Sequence, residues 1–502
     1  MKQLLPSLAR MPSTRVVVLA LLTVGSLAPV GVAAAGVGAA TTGATAGGTV
    51  LQTNLVSDLP GVAAVADPNL VNPWGISESA ASPFWISDNG AGVSTLYSVP
   101  GTGSPAVFIV PLVVKIPTPV SLTGGTPTGT VFNIGLGSGA FEITGPNTAG
   151  QLTSAPAVFL FATEDGTIAG WNPGIDPSGP FAGTSTHAVI AVDSSGNNFT
   201  NPDAHSQTGA VYKGLAVASS STPIIAADPD STALLYASNF RAGTIDVYDS
   251  KFHQVTTLPP GAFGDQELPG RYAPFNVQVL NGKVYVDYAL QNATRHDDLA
   301  GPHHGFVDVF NLDGSPGLPG GAMRLISRGP LDSPWGLAIA PTGFAGLSAP
   351  SDAPVLLVGN FGDGLINAFD ATTGSSLGGL QDPDGEPISI DGLWALKVGN
   401  GGNGGVANAV YFTAGLFDES HGLFGSLTTV AAGSPEGPAE AQWVQALVDV
   451  VEIDQAQLEY DSSSGASQAT IEQDTLTLDA DTRQLDLAER AFEADTIADA
   501  GP

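Results

Sequence analysis

Short apolar runs broken by Gly/Asn/Asp clusters recur from about residue 50 to residue 427. The clearest is Val355–Val358, then the turn Gly359-Asn360-Phe361-Gly362-Asp363-Gly364, then Leu365–Phe369. Apolar run, turn cluster, apolar run is the signature of a β-hairpin. The unit returns at Asn239–Tyr248 and, more loosely, at Asp88–Tyr97. A recurring hairpin is a repeat, and a repeat decides architecture.

Six related units can be read, each with a first, second and third strand. They are 72–76, 84–88 and 94–99; 128–132, 158–162 and 168–171; 212–217, 234–239 and 243–248; 273–277, 284–288 and 305–310; 333–339, 355–358 and 365–369; and 391–396, 409–413 and 422–427. Short antiparallel strands at this period predict an all-β, six-bladed β-propeller over residues 50–430. Pro73-Trp74-Gly75 and Pro334-Trp335-Gly336 are expected where strands approach the central axis, with Gly permitting close backbone contact and Trp filling space between blades. Val50–Val56 is the natural outer strand for the last unit, removing an exposed edge and closing the ring.

The pattern changes after Pro438. Trp443, Leu447, Val450, Val451 and Leu458 follow helical spacing, as do Leu476, Leu485 and Phe492, and Ser462–Gly465 separates the two sets. An acidic α-helical hairpin is expected over 438–498, making the fold a propeller with a C-terminal helical extension. At the other end, Lys2, Arg10 and Arg15 precede an apolar stretch that closes on Ala33-Ala34-Ala35. This predicts a signal peptide over 1–35, with 36–49 as a flexible lead-in, and an exported protein, secreted or held in the periplasm or cell envelope. No later run is long enough to span a membrane in the mature chain.

Composition fits the strand reading: 64 Gly and 38 Pro suit many tight turns. Asp and Glu number 47 against 15 Lys and Arg, a formal charge of −32. That balance excludes a nucleic-acid partner, which needs clustered bases. The absence of cysteine excludes disulfides, thiol nucleophiles and thiolate metal sites.

Asn72-Pro73-Trp74-Gly75, Ser333-Pro334-Trp335-Gly336, Asn239-Phe240 and Asn360–Gly364 resemble a bacterial family of exported, uncharacterised six-bladed propellers. That family is related at fold level to NHL-repeat and calcium-dependent lactonase-type propellers. The resemblance spans residues 50–427 and implies no particular reaction.

Aligning Tyr97, Tyr248 and Phe369 puts Asp88, Asn239 and Asn360 at one station, with Glu164 near it in the second unit. Oxygen ligands of this kind suit Ca²⁺, and the resemblance implies a similar Glu/Asn/Asp set; the same residues also serve as turn-formers. Calcium is therefore an admissible cofactor and not a required one. A second cluster, His296-Asp297-Asp298 with His303, His304 and Asp287, has the residue types of a site for Zn²⁺ or another transition metal; the insertion that carries it is polar and Gly/Pro-containing, which is equally the composition of a solvated loop. Two functions are expected: an exported binding or scaffold protein presenting loops to a ligand or protein partner, or a metal-dependent lactonase- or phosphotriesterase-like hydrolase at the channel mouth.

Overall fold

The computed structural model describes residues 48–100, 107–196 and 209–431, plus isolated helical positions between 451 and 482. The predicted signal peptide and nearly all of the predicted helical hairpin lie outside the described residues. What is described is nearly all β.

Strands form successive antiparallel meanders, each with its first strand innermost. The first strands are Pro73–Ser77, Pro127–Phe132, Tyr212–Ser219, Tyr272–Leu280, Pro334–Ile339 and Leu393–Val398. Each packs against the first strand of the next meander, and Leu393–Val398 packs back against Pro73–Ser77. The strands therefore close a ring. The N-terminal strand Gly48–Ser57 is the outermost strand of the sixth meander, antiparallel to Leu423–Thr429. It also pairs in parallel with Ser376–Gln381 of the fifth. Ser57 Oγ donates to the Gly422 carbonyl at 2.7 Å and Asp58 Oδ1 accepts the Gly422 N–H at 2.8 Å, pinning this strand to the last meander.

Strand alternation explains how the ring is glued. Successive side chains point to opposite faces, and here both faces are buried. Leu235 and Ala237 pack toward the second meander with Leu160 and Tyr212. Leu234 and Tyr236 pack toward the fourth with Val284 and Val286. The seam between sixth and first is aromatic: Phe84 and Tyr97 against Tyr411 and Phe424.

One irregularity recurs. Every first strand slips register against its second strand near its start: after Pro73, Pro127, Tyr212, Pro274, Pro334 and Leu393. Such β-bulges re-aim a side chain. The residues released are Trp74, Thr128, Lys213, Phe275, Trp335 and Trp394. Trp74 stacks on Trp394 at 3.5 Å and meets Trp335 edge-on at 6.0 Å, and Phe275 lies 5.9 Å from Trp394. Contacts between non-neighbouring meanders are available only at the centre, so these side chains fill the axis. The glycines beside them permit the close approach: a Cβ on Gly129 would lie 2.3 Å from the Leu215 nitrogen, and one on Gly214 2.2 Å from Asn276 Oδ1.

Candidate functional site at the axial mouth

Lys213 is the one cation among the six bulge residues, and it is 2% exposed. Its Nζ lies 4.9 Å from the centre of the Trp74 ring, a cation–π contact. It is paired with Glu164 Oε1 and, at 3.3 Å, with Asp297 Oδ1. Asn89 Nδ2 donates to the other Glu164 oxygen at 2.9 Å. His296 Nδ1 lies 2.6 Å from Asp297 Oδ1 and 4.0 Å from Glu164 Oε1. Asn72 links floor and rim: its Oδ1 accepts Trp394 Nε1–H at 3.0 Å and its Nδ2 donates to Glu419 Oε2 at 2.6 Å. Phe361 stacks on Trp394 at 4.1 Å. Asn72 and Asn89 belong to the first meander, Glu164 to the second, Lys213 to the third, Asp297 to the fourth, Phe361 to the fifth and Glu419 to the sixth.

Burial and charge set the protonation states. Burial alone would lower the Lys213 ammonium, but Glu164 and Asp297 outweigh it and hold the charge. Asp297 feels some desolvation, yet its bond with His296 and the charge of Lys213 pull it well below the usual carboxylate range. Glu419 moves the other way: burial, only partly opposed by Lys213 and the Asn72 bond, pushes it up to about 7. The backbone that delivers Glu419 is strained. Phe417, Asp418 and Glu419 take φ of 52°, 52° and 67°, three successive non-glycine residues in the left-handed region. This conformation costs about 1–2 kcal/mol per residue and is held by Asp391 Oδ2, which accepts the Phe417 N–H at 2.8 Å, and by Asn72. Strain of this kind concentrates at functional sites.

The four sequence-derived metal candidates do not meet. Asp88, Asn239 and Asn360 do share a register, each paired with the residue before its bulge: Pro73, Tyr212 and Pro334. Each nevertheless faces its own meander. Asp88 Oδ2 accepts the Thr95 N–H at 2.9 Å; Asn239 Nδ2 donates to Asp246 at 3.0 Å; Asn360 Nδ2 donates to Asp363 at 2.9 Å. The equivalent position in the second meander is Thr163, paired with Pro127. Glu164, one residue on, is therefore free to reach the axis. Of the histidine cluster, only His296 and Asp297 join it. Asp298 accepts from Ser333, His304 Nδ1 bonds the Leu299 carbonyl at 2.9 Å, and Asp287 is fully buried, accepting the Asn276 N–H at 2.6 Å.

Sequence reasoning missed Lys213, Asn72, Asn89 and Glu419. The signal for Lys213 was there: Tyr212-Lys213-Gly214 aligns with Pro73-Trp74-Gly75 and Pro334-Trp335-Gly336. At the other end of the axis a cavity of about 210 Å³ opens between the far ends of the first strands, lined by Ile76, Thr130, Gln278, Trp335, Leu337 and Lys397. No helix among the described residues is long and apolar enough to cross a membrane.

No protein-family model matches the chain. Among solved structures it is similar to a streptogramin B lyase (11% identity, 78% of this chain and 100% of that one, TM-score 0.38). It is also similar to the PQQ-bound aldose sugar dehydrogenase of Streptomyces coelicolor (10% identity, 76% and 99%, TM-score 0.37). Likeness at this level bears on neither reaction nor ligand. Two proteins of Acanthamoeba polyphaga mimivirus are similar in sequence. Uncharacterized protein L690 is 29% identical over 383 residues, 74% of this chain and 84% of that protein. Uncharacterized protein R648 is 30% identical over 378 residues, 74% of this chain and 78% of that protein. The chain belongs to the family of uncharacterized protein R648.

Proposed function

We propose that the chain is an exported six-bladed β-propeller that binds a polar ligand at the axial mouth. The supporting observation is the convergence of Asn72, Asn89, Glu164, Lys213, Asp297 and Glu419, from five different meanders, into one network around a buried ammonium. Nothing in the packing of an apolar ring requires that network. Asp297, 57% exposed, and His296, 34% exposed, put its rim in solvent. Carboxylate oxygens dominate the rim, so the ligand class is one rich in hydrogen-bond donors. The helical segment 438–498 is an accessory element in this reading, and residues 1–35 direct export.

Thermal shift with a polyol series, a diamine series and a dicarboxylate series tests the site. Donor-rich solutes should stabilise the protein and Glu164→Gln or Asp297→Asn should abolish the effect. Equal stabilisation by dicarboxylates, or indifference to both variants, contradicts the reading. Export is tested by fractionating cells that express the full chain.

One observation favours a metal-dependent hydrolase as a second reading: ligand atoms of Glu164, His296 and Asp297 lie within 4.8 Å of one another. A His in the set suits Zn²⁺ better than Ca²⁺, and Lys213 would have to withdraw for a metal to enter. Zinc retained by Lys213→Met together with hydrolysis of a lactone or phosphotriester would favour this reading; no zinc in either protein would end it.

A further inference from the structure

A second set of oxygen atoms lies away from the axis, at the seam between the first and sixth meanders. Val93–Ser98 pairs with Phe84–Asp88 so that Phe84 opposes Tyr97, Ile86 opposes Thr95 and Asp88 opposes Val93. Tyr97, Thr95 and Asp88 therefore share one face of this sheet. That face meets the sixth meander, where Tyr97 stacks on Phe424 at 5.6 Å. Asp67 comes to the same place from the segment after the N-terminal strand, its N–H bonded to the Ser57 carbonyl at 2.9 Å.

The four side chains are between 0% and 3% exposed. Tyr97 OH donates to Asp67 Oδ2 at 3.0 Å, and Asp67 Oδ1 accepts the Asn69 N–H at 3.0 Å. Asp88 uses one oxygen for Thr95 N–H. Its other oxygen, Oδ1, has no hydrogen-bond partner among the described residues, and the Thr95 hydroxyl lies against the Asp88 carboxyl and the Tyr97 phenol. A buried orphan oxygen is costly; burial pushes the Asp88 carboxyl up, the Thr95 side chain opposes this, and the neighbouring Asp67 carboxylate adds to it. Two carboxylates, a hydroxyl and a phenol, with unused oxygen valence and no water access, are a donor set for a hard cation.

We propose that Asp67, Asp88, Thr95 and Tyr97 form a buried site for a hard cation, with Ca²⁺ the charge match for its two carboxylates, at the seam that closes the ring. The cation would tie Asp67, on the segment leading from the N-terminal strand, to the second and third strands of the first meander. It would thus fasten both neighbours of the closure. This site is separate from Glu164, His296 and Asp297 at the axis.

The test uses the full chain, stripped with EDTA and dialysed into choline chloride at pH 7.5. Calcium at a hundredfold excess over its Kd should raise Tm by about 3 °C, and elemental analysis should find one calcium retained per chain. Asp88→Asn, nearly isosteric, should remove both effects; Thr95→Val, which leaves both carboxylates, should weaken retention. Glu164→Gln should leave both effects intact. No calcium shift and no retained metal overturns the proposal, as does a shift that survives Asp88→Asn. A shift lost in Glu164→Gln but kept in Asp88→Asn would move the cation to the axis and overturn it equally.

Discussion

Replacing Lys213 with Met probes the axial network at its centre. The ammonium is 2% exposed and holds Glu164, itself 11% exposed, and Asp297, 57% exposed. Methionine fills similar volume and preserves contact with Trp74, so the loss is electrostatic. Removing one partner of a buried ion pair typically costs 3–5 kcal/mol, because the other charge is stranded. The Asp297 contribution is largely screened by water, which leaves about 3 kcal/mol, mostly from Glu164. A ring of about 380 residues unfolds with an entropy near 0.8 kcal/mol/K at about 2.1 cal/mol/K per residue, so the expected fall in Tm is about 4 °C. Calorimetry of the full chain at pH 7 measures it. The double variant Lys213→Met/Glu164→Gln should recover most of the loss, since it removes the stranded charge. A fall below about 1 °C, or additive losses in the double variant, would mean that Lys213 and Glu164 are not a buried, coupled ion pair.

Three further outcomes follow from the same geometry. Glu419, raised from 4.5 to about 7 in the folded chain, binds its proton more tightly there than when unfolded. Its contribution is complete below about pH 4.5 and is lost as pH rises through 7, up to about 3 kcal/mol; Glu419→Gln should flatten that slope in denaturant midpoints taken between pH 5 and 8. Gly214→Ala should destabilise by about 2–3 kcal/mol or more, because its Cβ would strike Asn276 in the next meander, whereas Gly137→Ala, with nothing within 4 Å, should leave the urea midpoint unchanged. Deleting residues 1–57 should unmask the Leu423–Thr429 edge and yield a chain that aggregates in light scattering, because that edge loses its antiparallel partner.

Much of the strand pattern was legible in the sequence because strands buried on both faces read as short apolar runs between turn residues. Phe84–Asp88 is observed where it was expected, and Val355–Asn360 starts at the expected Val355. The N-terminal strand begins at Gly48, inside the segment expected to be a flexible lead-in. The site was far less legible. Turn chemistry drew attention to Asp88, Asn239 and Asn360, which each bond within their own turn or strand rather than across the axis. The axis is instead reached by bulge residues, and a bulge has no signature in a hydrophobic pattern. Glu419 was hidden for another reason. A left-handed run through Phe417, Asp418 and Glu419 contains no glycine to announce it, so only the folded surroundings specify it. Glu164 was singled out by its turn, and its real partner, Lys213, lies 49 residues away in the next meander.

The accessibility of Lys213 tests the axial network at its core, since the network stands or falls with this buried ammonium. Lysine acetylation of the folded full chain at pH 8, read by mass spectrometry, compares it with Lys251, whose side chain is 60% exposed and paired only at the surface with Asp230. Lys251 should be modified while Lys213 stays untouched until the protein is unfolded. Equal labelling of the two in the folded chain would contradict the burial of Lys213.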